Sequence, residues 1–349
     1  MIFPGNRMTE LVSVVIVDHN GGKMLADCLS SVLGTCLGKS FEIIVVDNGS
    51  NNELYETSYC PFKNNPSIRW IRTGSNLFLG AAKNIGARAA MGKYIVFLDN
   101  DTIATPDWLE EAISCLKKDC SSGAVQSLLL TPKKEIQHCG GVINSLGSGF
   151  SVHTLGRRFS GSSPMQVFFA AGAGTAIRRD LLRQIGFFDV HLTFSDDIEL
   201  SWRLNLSGRR VYLCPKSVVI HRGGITTASS RRLQLYRQRC YSYELLHNSV
   251  KNNSSRFSAQ NVPKILWLLT LMTLQRVKQG TPKNALAVIS GTLRFLRNFP
   301  EIWKERIFVQ KVLRRVSDKE IQKQMLIFNW TEMWRLTVSW LTGKKPPRY

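Results

Sequence analysis

Apolar and polar positions alternate between two periods over the first hundred residues. Val12–Val17, Phe41–Val46, Ile68–Arg72 and Tyr94–Leu98 are largely unbroken apolar runs, and each predicts a strand buried on both faces. Between them, Met24, Leu25, Cys28, Leu29, Val32 and Leu33 recur at helical spacing, and Leu79–Ala90 is an Ala-rich helical stretch. This βαβα order predicts an α/β fold, a Rossmann-like and mostly parallel sheet covered by helices. Ligands of such sheets gather at the carboxyl ends of the strands. Polar residues follow the strands there: Asp18-His19-Asn20, Asp47-Asn48-Gly49-Ser50 and Asp99-Asn100-Asp101.

Residues 131–165 are rich in Gly and Ser without periodicity and predict an irregular excursion. Ser195-Asp196-Asp197-Ile198-Glu199 opens a segment with conflicting signals. Ile198, Leu200, Trp202, Leu204 and Leu206 alternate as in a strand. Ser195 suits a helix N-cap, however, acids fill the first turn, and Gly208 sits at the stop position, so a helix is expected. From Ser230 the chain reads helical, with polar breaks at Lys251–Ser255 and Gly280–Pro282. The expected organisation is an α/β domain over 1–224, whose second part begins near 130, and a basic helical region over 225–349.

Charge sharpens that division. The chain carries 46 Lys and Arg against 25 Asp and Glu, but residues 225–349 hold 23 of the former and 6 of the latter, a net +17. An acidic partner therefore concerns the C-terminal region. Two readings stand for it: basic, Trp-bearing amphipathic helices (Trp303, Trp330, Trp334, Trp340) on an anionic membrane surface, or a helical subdomain with a solvated basic face. A nucleic-acid binder would use the same charge but leaves both acidic clusters without a role, and no nucleic-acid partner is expected. The longest apolar stretch, Ile265–Leu274, is about half of the ~20 residues a spanning helix needs. Met1–Glu10 has no apolar signal core, and the eight cysteines show no CxxC spacing. Reduced thiols and a cytoplasmic setting, peripheral to the inner membrane face if the tail binds lipid, are expected.

Two motifs are decoys. Gly34–Ser40 has three residues between its glycines where a phosphate loop needs four, and it precedes a strand. Gly172-Ala173-Gly174 reads as a tight turn, because position 177 is Ile where a dinucleotide fingerprint needs Gly.

The acids carry the chemistry. Asp99 and Asp101 at a strand-to-loop turn offer hard oxygens suited to Mn²⁺ or Mg²⁺, or else form a solvated Asx turn. Asp196 and Asp197 complement a helix dipole, or one of them is a general base. His221, after the apolar run Ser217–Ile220, is a capping residue or a ligand.

Taken in order, these residues resemble the family 2 glycosyltransferases, which have the GT-A fold. The likeness runs from Val12 to His221. It includes Val14–Asn20, Ile43–Ser50, Asn76-Leu77-Phe78-Leu79-Gly80 with Asn84-Ile85-Gly86, and Leu98-Asp99-Asn100-Asp101-Thr102. It continues through Gly186-Phe187-Phe188-Asp189, Phe194–Arg203 and Pro215–His221. Two positions depart from the pattern: Asp196 stands where the Glu of a Glu-Asp pair is usual, and Glu199 where an Asp is usual.

The resemblance implies an inverting, divalent-metal-dependent transfer of a sugar from a UDP- or dTDP-sugar to a hydroxyl of a glycan or lipid-linked acceptor. It points to the rhamnosyltransferase-like branch and to cell-surface polysaccharide or glycolipid synthesis. It places Asp47 on the nucleotide base, with Asp18, Asn20, Asn76, Gly80, Asn84, Asp99 and Asn100 around the nucleotide sugar. Asp101 and His221 would hold Mn²⁺ or Mg²⁺, with Asp99 contacting it indirectly. Asp197 would be the base and Asp196 and Glu199 supporting acids. A rival reading, a nucleotidyltransferase acting on sugar phosphates, would want a basic Gly-rich loop after the first strand, and Asn20-Gly21-Gly22-Lys23 is a poor one.

Overall fold

The computed structural model describes residues 10–35, 40–153, 161–223, 230–327, 329–331 and 333–335. Cys36, most of the 34–40 decoy, Trp340 and most of Met1–Glu10 lie outside them. Strands β1 (Val12–Asp18), β2 (Phe41–Asp47), β3 (Ile68–Arg72) and β4 (Tyr94–Asp99) form a parallel block in the order β3-β2-β1-β4. Helices α1 (Lys23–Thr35), α2 (Asn52–Tyr59) and α3 (Leu79–Ala89) connect them. Successive side chains of β1 point to opposite, covered faces, which is why it is apolar apart from Ser13 and the terminal Asp18. Val12, Val14 and Ile16 join the core formed with Leu25, Leu29 and Val32 of α1. Val15 meets α3, where a Cβ at Gly86 would come within 2.4 Å of Val15 Cγ1.

Beyond β4 the sheet becomes mixed. β5 (Thr102–Ala104), α4 (Trp108–Lys118) and β6 (Ser122–Leu130) follow, and β11 (Thr175–Arg178) runs antiparallel between β4 and β6. The 131–165 excursion contains three short strands, β7 (Ile136–His138), β8 (Gly141–Ile143) and β9 (Gly149–Ser151), and ends at β10 (Met165–Val167). Three-residue strands are too short for a periodic signal, which is why the sequence reads as irregular there.

After α5 (Arg179–Ile185) comes α6 (Asp196–Leu206), a helix as expected. Its alternation carried no facial information because Leu200 through Leu206 are all buried, polar residues included. Gly208, at φ 82°, closes it: the Gly208 N–H donates to Asn205 O at 3.1 Å and the Arg209 N–H to Leu204 O at 3.0 Å, a Schellman motif. β12 (Arg210–His221) then pairs parallel with β6 and antiparallel with β5.

The chain divides into two compact units. The first comprises Met1–Gly141, Ser151–Leu204 and Arg209–Ile225. The second comprises Thr226–Tyr349 together with two earlier segments, Val142–Phe150 and Asn205–Gly208, which a single linear boundary at 224 does not express. The second unit is built on α7 (Arg231–Asn252), α8 (Ser255–Lys278) and α9 (Pro282–Ile307), followed by a π-helical turn, Phe308–Leu313, and α10 (Asp318–Gln322). Buried Arg306 donates to the carbonyls of Val250 and Asn253, and Gln310 to those of Lys251 and Asn252. These bonds satisfy the open C-terminal end of α7 from within the unit.

Candidate active site

Strand register assembles the first half of the site. Asp18 pairs in register with Asp47, and Val17 with Asp99, so the chain ends of β1, β2 and β4 lie side by side. Asn100 consequently donates from Nδ2 to Asp18 Oδ1, and Ser50 Oγ donates to Asp18 Oδ2 at 3.4 Å. Burial raises the Asp18 carboxyl above its ordinary value. Asp47 receives the Ser50 N–H at 3.0 Å and pairs with Arg72 Nε at 2.9 Å. Asn20, at φ 59°, accepts the Asn51 N–H on Oδ1 at 2.9 Å. Asn76 Oδ1 accepts from Asn48 Nδ2 at 3.1 Å and from the Phe78 N–H at 2.9 Å. Asn84 spends its amide on Phe188, donating to its carbonyl at 2.8 Å and accepting its N–H at 2.9 Å. Gly80 lies beneath the Asp189 carbonyl, which a Cβ would approach to 3.1 Å. Asn84 and Gly80 therefore fix the Phe188-Asp189 turn against α3.

The β5–β12 pairing builds the second half by setting His221 opposite Thr102. His221 Nε2 lies 3.1 Å from Asp101 Oδ1 and 3.8 Å from Asp99 Oδ2. One ligand atom from each of the three lies within 4.8 Å of the others. Asp99 thus stands in this three-residue cluster. His221 Nδ1 is 2.8 Å from Gln137 Oε1. With the ring proton on Nδ1 donated to Gln137, Nε2 is left to ligate, the outer-shell arrangement of metal-binding histidines. Two carboxylates and an imidazole so disposed fit a divalent cation such as Mn²⁺.

The third group is the start of α6. Asp196 Oδ2 lies 3.0 Å from Lys83 Nζ, and both side chains are buried. Asp197 Oδ2 accepts the Gly172 N–H at 3.1 Å, and its Oδ1 the Ile198 N–H at 2.8 Å. Burial, and then the neighbouring Asp196 charge, push the Asp197 carboxyl up to about 7, against the pull of Lys83 and these two N–H groups. Glu199 is bound through both oxygens by Arg203, whose guanidinium also donates to the carbonyls of Ile185, Gly186 and Phe187. Glu199 is thereby a strut for the Ile185–Phe187 segment. Lys83 ties the groups together, because its ammonium interacts with Asp99 and Asp197 as well as with Asp196.

The sequence pattern described as glycosyl transferase family 2 matches residues 13–186. The chain belongs to glycosyltransferase family 2. Its curated relatives include the O-antigen biosynthesis protein RfbC of Myxococcus xanthus, 28 % identical over 228 residues, covering 62 % of this chain and 17 % of that protein. A poly-β-1,6-N-acetyl-D-glucosamine synthase of Staphylococcus epidermidis is 25 % identical over 214 residues, covering 61 % and 50 % respectively. The chain thus spans half or less of the length of these relatives. A solved mannosyltransferase of Pyrobaculum calidifontis, in complex with GDP-Man and Mn²⁺, shares the fold with a TM-score of 0.54 over 84 % of this chain and 88 % of its own, at 15 % identity. GalNAc-T7, with UDP, GalNAc and Mn²⁺, gives 0.53 over 78 % and 59 %, at 20 % identity. The sheet and helices are accordingly those of the GT-A fold.

Within this family 2 member, the sequence reading gave no role in the site to four contributors: Lys83, Gln137, Arg203 and the Gly172 N–H. Lys83 had a signal, since a lysine between Gly80 and Ala87 on the buried stripe of α3 is out of place unless paired. Gly172 leaves room for it, because a Cβ there would stand 2.8 Å from Lys83 Nζ. Gln137, in the aperiodic excursion, had none.

Proposed function

We propose that this chain transfers a sugar from a UDP- or dTDP-linked donor to an acceptor hydroxyl, with inversion at the anomeric carbon, during synthesis of a cell-surface glycan. The observation carrying this reading is one carboxylate, Asp197, lifted to about 7 by burial and linked through Lys83 to the Asp99–Asp101–His221 cluster. A base works best when its pKa lies near the working pH. Asp197 accepts the proton of the acceptor hydroxyl while that oxygen bonds to the anomeric carbon. The bond from that carbon to the diphosphate oxygen breaks, and the diphosphate leaves with the electron pair.

Asp101, His221 and Asp99 would hold Mn²⁺ or Mg²⁺, with Gln137 orienting the imidazole. A divalent cation bound there supplies charge neutralisation for the diphosphate. Asp18, Asn20, Asp47, Asn76 and Asn100 frame the nucleotide side. A retaining route would need a carboxylate nucleophile beside the acid–base group, yet Asp196 is bound to Lys83 and Glu199 to Arg203. The relatives named for O-antigen and poly-N-acetylglucosamine synthesis support a growing glycan, free or lipid-linked, as acceptor, and a rhamnosyl donor is the one the sequence resemblance favours.

A screen of UDP- and dTDP-sugars, scored by nucleoside diphosphate release with and without EDTA, tests the reading. Release that needs Mn²⁺ or Mg²⁺ and is lost in Asp197→Asn supports it. Pyrophosphate release from a nucleoside triphosphate with sugar phosphate, or full transfer in chelator, overturns it.

A further inference from the structure

Among the described residues no helix is long and apolar enough to cross a membrane, yet α8 and α9 leave an apolar surface open. α8 buries Ile265, Leu268 and Leu269, and on its opposite side Leu266, Leu274 and Val277 face outward. α8 is thus apolar both on its buried side and on part of its outer surface, next to exposed Thr270 and Lys278. α9 buries Val288, Gly291 and Phe295, and beside them Leu286, Ile289, Leu293 and Leu296 form a second outward stripe at alternating spacings of three and four. The outward residues of both helices are between 42 % and 63 % exposed. A groove of about 280 Å³ between the helices, lined by Leu269, Thr273, Val288 and Ile289 among others, joins the two stripes. Soluble monomers rarely leave so continuous an apolar face uncovered.

Charge decides what covers it. Residues 225–349 carry 23 Lys and Arg against 6 Asp and Glu. Lys278 and Lys283 are exposed at the turn between the helices, next to Val277 and near Leu286, and Arg297 and Lys304 are exposed along α9. A second copy laid on this face would bring like charge against like charge, whereas an anionic leaflet supplies the opposite sign. We propose that the α8–α9 face docks on an anionic lipid bilayer, lying in the interface without spanning it. The leucines enter the boundary of the acyl chains, and the Lys and Arg stems run along the apolar surface with their charges at the headgroups.

Vesicle binding can be read without donor or acceptor, so it is independent of the transfer chemistry. The test is co-sedimentation of the full chain with vesicles of phosphatidylcholine alone or of an equimolar mixture with phosphatidylglycerol. Binding to the mixed vesicles is expected, weakened roughly tenfold or more by omitting phosphatidylglycerol or by high salt. The double variants Leu274→Glu/Leu286→Glu and Lys278→Glu/Lys283→Glu, all at exposed positions, should each lose roughly tenfold or more while keeping the wild-type circular dichroism. Absence of binding, wild-type binding by either variant, or a wild-type dimer in sedimentation that Leu274→Glu/Leu286→Glu dissociates would overturn the proposal.

Discussion

Lys83 Nζ and Asp196 Oδ2 lie 3.0 Å apart with both side chains buried, although 113 residues separate them in the chain. The pair fastens helix α3 to the acidic start of α6, and it sets the field in which Asp197 titrates. Removing one member of a buried pair strands the other charge, so Lys83→Met should destabilise the fold by about 3–5 kcal/mol. Urea denaturation measures this, and a loss under about 1 kcal/mol would show that the pair contributes little.

Asp197→Asn removes the proposed base and keeps the shape. Nucleotide binding should persist, while turnover falls by roughly 10²–10⁴-fold. Steady-state kinetics with calorimetric titration of the nucleoside diphosphate separates the two effects. Turnover close to wild type would take Asp197 out of the mechanism.

The raised pKa of Asp197 gives two pH signatures. A base must be ionised to act, so log kcat should fall below about pH 7 and level off above it. Stability moves the other way. A carboxyl whose folded pKa exceeds the unfolded value favours the fold at low pH, and that contribution is lost as pH rises through about 7. The Tm of Asp197→Asn should therefore exceed the wild-type value at pH 8, with the gap closing at pH 5. Parallel melting curves at both pH values would contradict the burial of the charge.

Gln137→Leu deletes the group that holds His221 Nδ1. Outer-shell partners of this kind typically contribute 10–100-fold in metal affinity. Mn²⁺ titration followed by electron paramagnetic resonance should show a loss of roughly that size, and Gln137→Glu should restore much of it, since the acceptor returns. Unchanged Mn²⁺ affinity in Gln137→Leu would make the contact incidental.

Arg203→Met breaks the Glu199 strut and frees three carbonyls at Ile185–Phe187. The expected loss is again about 3–5 kcal/mol of stability. At a temperature where the variant remains folded, its kcat should fall far less than that of Asp197→Asn. An equal fall in kcat would place Glu199 in the chemistry.

The sequence by itself determined the local elements and the chemical types at strand ends. Apolar runs placed β1 to β4 and the 3.6-residue period placed α1 and α3, because covering a sheet on both faces leaves a direct mark on each strand. The acids Asp18, Asp47, Asp99 and Asp101 were legible because they interrupt apolar runs. Caps decided α6 where periodicity misled, since a helix buried all round has no polar face to register.

Tertiary structure alone decided the partners. Whether an acid is a free base, a strut or one half of an ion pair depends on cations that arrive from elsewhere in the chain. Lys83 reaches Asp196 from α3 and Gln137 meets His221 from an aperiodic stretch, whereas Arg203 takes Glu199 at the i,i+4 spacing of α6 itself, the one encounter with a local trace. Composition cannot report the other two encounters, because electrostatic coupling follows distance in space, and β-sheet register and helix packing set that distance without leaving a local trace. The open apolar face of α8 and α9 has the same origin: the sequence shows the leucines, and only the packing of α7, α8 and α9 shows which of them remain uncovered.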